Sequence, residues 1–304
     1  MSGPVFAVFE SVTELIGGTP VVGLQRITSS KTAQIRIKLE QFSATGSSKD
    51  RIAMAILQRA EAEGRLPKGS TVIEATCGNA GIALAMMCVA KKLKLIVTVP
   101  ESISPERRAL LSAYGARVEL TPARLQMTGA ISRAKEMLAQ TQGAFMPSQY
   151  ENPDNVAAQR RAGEELVETI RADGGQIDAF VAGVGTGGTL SGIGRALKAF
   201  FPDVQVIAVE PAAEVHRIEG LGSGRESAVL DRSVIDRTVT IDDVEAWRMR
   251  GRLAREEGIL GGISTGANVA AALRVANELG PGHRVYSICC DTGERDFSLE
   301  RFFQ

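Results

Sequence analysis

Aromatic residues are scarce in this chain of 304 residues, at 5%, while glycines number 32. That balance speaks against a β-sandwich and for an α/β protein with many strand-to-helix turns. Charge of one sign is missing too: 35 Lys and Arg offset 35 Asp and Glu, so nothing points to nucleic acid or an anionic membrane. No apolar run is long enough for a bilayer, the longest lying at residues 82–90. The stretch MSGPVFAVFE has no basic segment ahead of an apolar one, which predicts no signal peptide. Cys77, Cys88, Cys289 and Cys290 form neither a CxxC pair nor a disulfide-like spacing, so a reduced, cytoplasmic setting is expected. With no HExxH and no Cys/His cluster, no metal site is expected.

What the chain does have is an α/β rhythm. TVIEA (71–75) reads as strand, 79–91 as apolar helix and KLIVTVP (94–100) as strand. Ser104 and Pro105 open a helix that Gly115 closes, RVELTP (117–122) is a strand, and a helix runs over 128–140. A second set has a helix ending near 172, strand 178–184, helix 189–200 and strand 204–210. A strand at 237–241, helices over 243–257 and 265–278, and strand 284–290 complete it. The alternation predicts two mainly parallel, open twisted sheet units with helices on both faces, meeting near residues 143–153. A cleft between them is the expected ligand site.

Three glycine motifs punctuate this pattern. GVGTGG (183–188) fits G-x-G-x-x-G between a strand and a helix, and Glu210 ends the next strand where a dinucleotide site would place its ribose acid. Thr186 and Thr189, however, add hydroxyls suited to a compact phosphate monoester at a helix N-terminus. TCGNAG (76–81) could hold a small anion such as a carboxylate, or be an ordinary turn. GISTG (262–266) matches the nucleophile elbow of hydrolases but follows a helix end rather than a strand. The only histidines, His216 and His283, have no acid partner in hydrolase order, so Ser264 reads as a hydrogen-bonding or capping serine.

GSSKDR (46–51) aims Lys49 out of a turn of small residues into a helix start. An ammonium is disfavoured at the positive end of the helix dipole, and a neutral amine there can form an imine with a carbonyl. Pyridoxal phosphate carries both an aldehyde and a phosphate, so Lys49 and the 183–188 loop explain each other.

The segments KLEQFSATGSSKDR (38–51), EATCGNAGIALA (74–85), VPESISPERRALLSAYGARVELT (99–121), AGVGTGGTLSGIGR (182–195) and EEGILGGISTGANVAAAL (256–273) resemble the cysteine synthase and cystathionine β-synthase family. These are fold type II pyridoxal phosphate enzymes, and the resemblance covers nearly the whole chain. It implies a larger cofactor domain from residues 1–42 and 146–304, and a smaller mobile domain from 43–145. It implies that Lys49 forms the Schiff base and moves the substrate α-proton, and that Asn79 meets the cofactor's 3′-oxygen. Gly185, Thr186, Gly187, Gly188 and Thr189 would form the phosphate cup, and Ser264 would face the pyridine nitrogen. Thr76, Cys77, Gly78 and Gln149, with Asn79 in the same loop, would hold the substrate carboxylate, and Gly220 would line the cleft entrance. The implied reaction is β-replacement on O-acetyl-L-serine or O-phospho-L-serine through an α-aminoacrylate, with sulfide giving L-cysteine. The family is also homodimeric, and serine acetyltransferase is an implied partner.

Departures from the family pattern fall on the substrate side. T-C-G-N-A-G stands for T-S-G-N-T-G, so Cys77 and Ala80 replace two hydroxyls, each able to give a charged group about 1.5–3 kcal/mol. Ser43-Ala44 replaces Asn-Pro, and Asp296 replaces a tyrosine. The nucleophile could accordingly be homocysteine or an amine, and Arg217 and Arg225 could favour an acidic substrate. From other classes, GVGTGG alone supports a nicotinamide-dependent dehydrogenase, and a weakened homologue would serve as a regulatory binding module. Cys77, near a helix N-terminus, is either a reactive thiol or a filler of a serine-sized space.

Overall fold

A computed structural model describes residues 8–222 and 227–303. Nine strands and eight α-helices alternate among these residues. The strands are β1 (Val21–Gly23), β2 (Gln34–Leu39), β3 (Thr71–Ala75), β4 (Lys94–Pro100), β5 (Arg117–Thr121), β6 (Ala179–Gly183), β7 (Gln205–Pro211), β8 (Arg237–Ile241) and β9 (Arg284–Cys289). The helices are α1 (Lys49–Ala62), α2 (Asn79–Lys91), α3 (Pro105–Ala113), α4 (Gln126–Gln140), α5 (Asp154–Ala172), α6 (Gly188–Phe200), α7 (Asp243–Arg252) and α8 (Ile263–Leu279).

Side-chain alternation builds two sheets, each covered on both faces. In the six-stranded sheet, ordered β1-β2-β9-β6-β7-β8, only the β1–β2 pair is antiparallel. Val181, Ile207 and Val209 face a core with α8, while Phe180, Ala182, Val206 and Ala208 face one with α5 and α6. That period of two, apolar on both sides, is what a parallel sheet between helical layers requires. The three-stranded sheet β3-β4-β5 is parallel throughout. Val72, Val97 and Val99 pack on α1 and α2, and Ile73 and Ala75 on α4. Each such valine, isoleucine or phenylalanine removed from water contributes about 1.5–3 kcal/mol.

Local chemistry sets the boundaries. Ser104 caps α3 by accepting from the Arg107 N–H, with Pro105 at the first helical position. The span 243–257 is not one helix, however: α7 ends at Arg252, and a π-helical turn follows over Leu253–Glu257. The turn ends at Gly258 (φ 72°). No described helix is long and apolar enough to cross a membrane.

Candidate active site

The C-terminal ends of β3, β6 and β9 bring the sequence motifs to one place. Gly46 begins the lysine turn with φ +80°, and a Cβ there would lie 2.9 Å from Cγ2 of Thr292, so only glycine serves. Ser47 and Ser48 are buried against the strand end. The Ser48 N–H donates to Cys290 O (2.9 Å), and Ser47 bridges Asp291. The turn is small because it is clamped to the end of β9, and it delivers Lys49 as the first residue of α1. Asp50, its carboxyl raised by burial, accepts from the Thr45 N–H (2.7 Å) and holds the turn from behind.

Ser264 is buried in the first turn of α8, and Asn268 in the next turn points its Nδ2 at Cys290 Sγ (3.4 Å), beside the lysine turn. Burial pushes the Cys290 thiol up to about 11, and the Lys49 ammonium and hydrogen bonds with Ser264 and Asn268 oppose that rise. No strand precedes Ser264, so its hydroxyl is not a nucleophile elbow. Lys49 also lines a small cavity with Glu74, Ala80 and Gln149. Glu74 is buried, its carboxyl pushed up to about 8 by burial, against one hydrogen bond from the Ser148 N–H (2.8 Å).

Thr76, Cys77 and Gly78 connect β3 to α2, whose N-cap is Gly78 with no side-chain cap; the Gly81 N–H donates to Gly78 O (3.1 Å), leaving the Asn79 and Ala80 N–H groups available to an anion. Asn79 Nδ2 donates to Asp291 Oδ2 (2.6 Å) and its Oδ1 accepts from Arg295, with one amide hydrogen to spare. Burial raises the Cys77 thiol, with Glu219 adding to the rise and Arg107 opposing it, which disfavours the thiolate. Arg217 is exposed and stacks on Phe302 (3.6 Å to the ring centroid), and Arg225 lies outside the described residues.

Residues 185–189 form a cup at the start of α6. Gly187 has φ +90° with Leu230 behind it, and a Cβ on Gly188 would lie 2.0 Å from Asn155 Oδ1. The N–H groups of Gly185, Thr186 and Gly187 have no acceptor among the described residues. Gly220, with φ +85°, brings its carbonyl against Gly185, where a Cβ would lie 2.3 Å away, and Gly222 N–H donates to Val184 O (2.9 Å). Glycine backbone, free N–H groups and a helix N-terminus fit a phosphate monoester, and Lys49 fits its aldehyde.

Two site residues escaped the sequence reading. Asn155 and Gln159, both fully buried on one face of α5, donate to Thr186 Oγ1 (3.1 Å) and Ser48 O (3.2 Å) respectively. Their sequence signal was available: two amides four apart on a face otherwise occupied by Ala158, Ala162 and Leu166.

The site and fold define an α/β enzyme that holds a phosphorylated carbonyl cofactor. A family model described as pyridoxal-phosphate dependent enzyme matches residues 12–291, and the chain belongs to that family, whose cofactor is pyridoxal phosphate. The chain is 44% identical over 299 residues to a cysteine synthase of Staphylococcus aureus (strain Mu50), covering 95% of this chain and 96% of that protein. Among solved structures, an O-ureido-L-serine synthase superposes with a TM-score of 0.92 at 40% identity, covering 96% of this chain and 94% of the other. A cysteine synthase from Entamoeba histolytica gives 0.92 at 32%, covering 99% and 92%.

Proposed function

We propose that this protein catalyses β-replacement on O-acetyl-L-serine or O-phospho-L-serine, with sulfide as nucleophile and L-cysteine as product. The observation that carries this reading is Lys49, clamped to the end of β9 at the start of α1, in a chain 44% identical to a cysteine synthase. Pyridoxal phosphate, when bound, supplies the aldehyde and the electron-withdrawing ring that make the substrate Cα–H acidic and its Cβ leaving group labile. The chain does the rest. Lys49 anchors the aldehyde and moves the proton at Cα. Gly185 to Thr189 grip the phosphate, Asn79 offers its spare amide hydrogen to the ring oxygen, and Ser264 faces the ring nitrogen. Thr76, Cys77, Gly78 and Gln149 orient the substrate carboxylate at the α2 N-terminus, and Gly220 lines the entrance. Residues 43–145 act as the smaller, mobile domain that closes over the substrate and excludes water. We assign the working form as a cytoplasmic homodimer, with serine acetyltransferase as a partner.

A second reading keeps the chemistry and changes the nucleophile. The likeness to an O-ureido-L-serine synthase supports it, and so does the loss of two loop hydroxyls at Cys77 and Ala80. Absorption spectra of the holoenzyme test both readings. One donor should shift the visible band and sulfide should restore it. Restoration only by homocysteine, an amine or hydroxyurea selects the second reading, and no shift with either donor contradicts both.

A further inference from the structure

The Asn155 side chain sits between two groups of the site and touches both. Its Nδ2 donates to Gln149 O (2.8 Å) and to Thr186 Oγ1 (3.1 Å). The first contact fixes which end of the amide is which. A backbone carbonyl can only accept, so the atom facing Gln149 O must be the nitrogen. Its oxygen lies instead against Gly188, unpartnered.

That orientation sets the polarity of Thr186. A hydroxyl oxygen has two lone pairs and one hydrogen. Both lone pairs of Thr186 Oγ1 face donors, Asn155 Nδ2 and the Gly188 N–H (3.3 Å). The remaining hydrogen has to be given away, and the cup of free N–H groups is where Oγ1 stands. A phosphate dianion accepts only, so a threonine that could turn either way is worth less to it than one locked as a donor.

We propose that Asn155 is a positioning residue for the cofactor phosphate, acting through Thr186, with its own orientation fixed by Gln149 O. The inference rests on the phosphate reading of residues 185–189. It places the effect on the phosphate alone, because Asn155 reaches neither Lys49 nor Ser264.

The test compares pyridoxal phosphate with pyridoxal, which lacks the phosphate, binding to the full chain stripped of cofactor. For T186V, affinity for pyridoxal phosphate should fall about 10-fold or more, as for loss of a charged hydrogen bond, with pyridoxal affinity unchanged. N155D should fall at least as far, because a carboxylate turns the Thr186 hydroxyl away from the phosphate. N155A removes the donor without reversing it and should fall less. The double variant N155D/T186V should lose no more than the worse single variant. If T186V leaves the ratio of the two affinities unchanged, the phosphate reading of the loop is wrong. If T186V changes the ratio and both Asn155 variants leave it alone, only the Asn155 inference is overturned. Equal loss of both ligands in N155D and N155A assigns Asn155 a purely structural role and overturns it as well.

Discussion

Arg107 Nη2 lies 2.9 Å from Asp296 Oδ1, and both side chains are buried. Arg107 belongs to α3 beside the three-stranded sheet, and Asp296 to the C-terminal segment. A second oxygen of Asp296 accepts from the Ile263 N–H (2.7 Å) at the start of α8, and Arg107 also pairs with Glu219 (2.8 Å), next to Gly220. One guanidinium therefore ties α3 to the helix bearing Ser264 and to the segment at Glu219 and Gly220. Removing it leaves two acids without their countercharge. R107M should lose about 3–5 kcal/mol of stability, read from denaturant unfolding, because a buried charge stripped of its partner is costly. An unchanged midpoint would mean the bridge is open in solution.

Glu74 gives stability a pH dependence of defined sign. Burial pushes its carboxyl up to about 8, from 4.5 for a free group, with the Ser148 N–H opposing and Glu151 reinforcing. Between those values the folded chain holds a proton that the unfolded chain releases. Its contribution is complete below pH 4.5 and is lost as pH rises towards 8. E74Q keeps an acceptor for Ser148 and removes the titration. Its melting temperature relative to wild type should climb steadily from pH 5 to 8, and parallel curves would refute the buried neutral acid.

Gly46 makes the lysine turn possible. G46A must take φ +80° with a Cβ 2.9 Å from Thr292. It should cost about 1–3 kcal/mol in unfolding and weaken cofactor binding, since the displaced turn carries Lys49. Unchanged cofactor affinity in a destabilised variant would separate the turn from the site.

The 76–81 loop tests the effect of the departures. C77S returns one hydroxyl to the α2 N-terminus. If the carboxylate binds there, kcat/KM for the preferred donor should rise about 10-fold with little change in cofactor affinity. No change would place the carboxylate elsewhere.

Much of the architecture was legible because period and turn chemistry agreed. TVIEA, KLIVTVP and the 79–91 helix have the expected limits, and Ser104-Pro105 starts α3. β2 was missed because its pattern, QIRIKL, carries charges whose partners are remote. Lys38 is buried in the sheet, donating to Glu165 (2.9 Å) and Thr19 O (3.0 Å). The π-turn at Leu253–Glu257 has no signature in residue types alone. Within the site, Lys49, Ser264 and the glycine loops stood out because their local sequences are odd. Asn155 and Gln159 sit in an ordinary helix, and their meaning comes from what folding sets opposite them, Thr186 and Ser48.

The central claim is that Lys49 carries the cofactor. Borohydride reduction of the yellow holoenzyme, followed by peptide mass analysis, tests it directly. The account predicts one phosphopyridoxyl group per chain, on the peptide containing Lys49, and none in K49A. A label on another lysine, or an equal label in K49A, would contradict it.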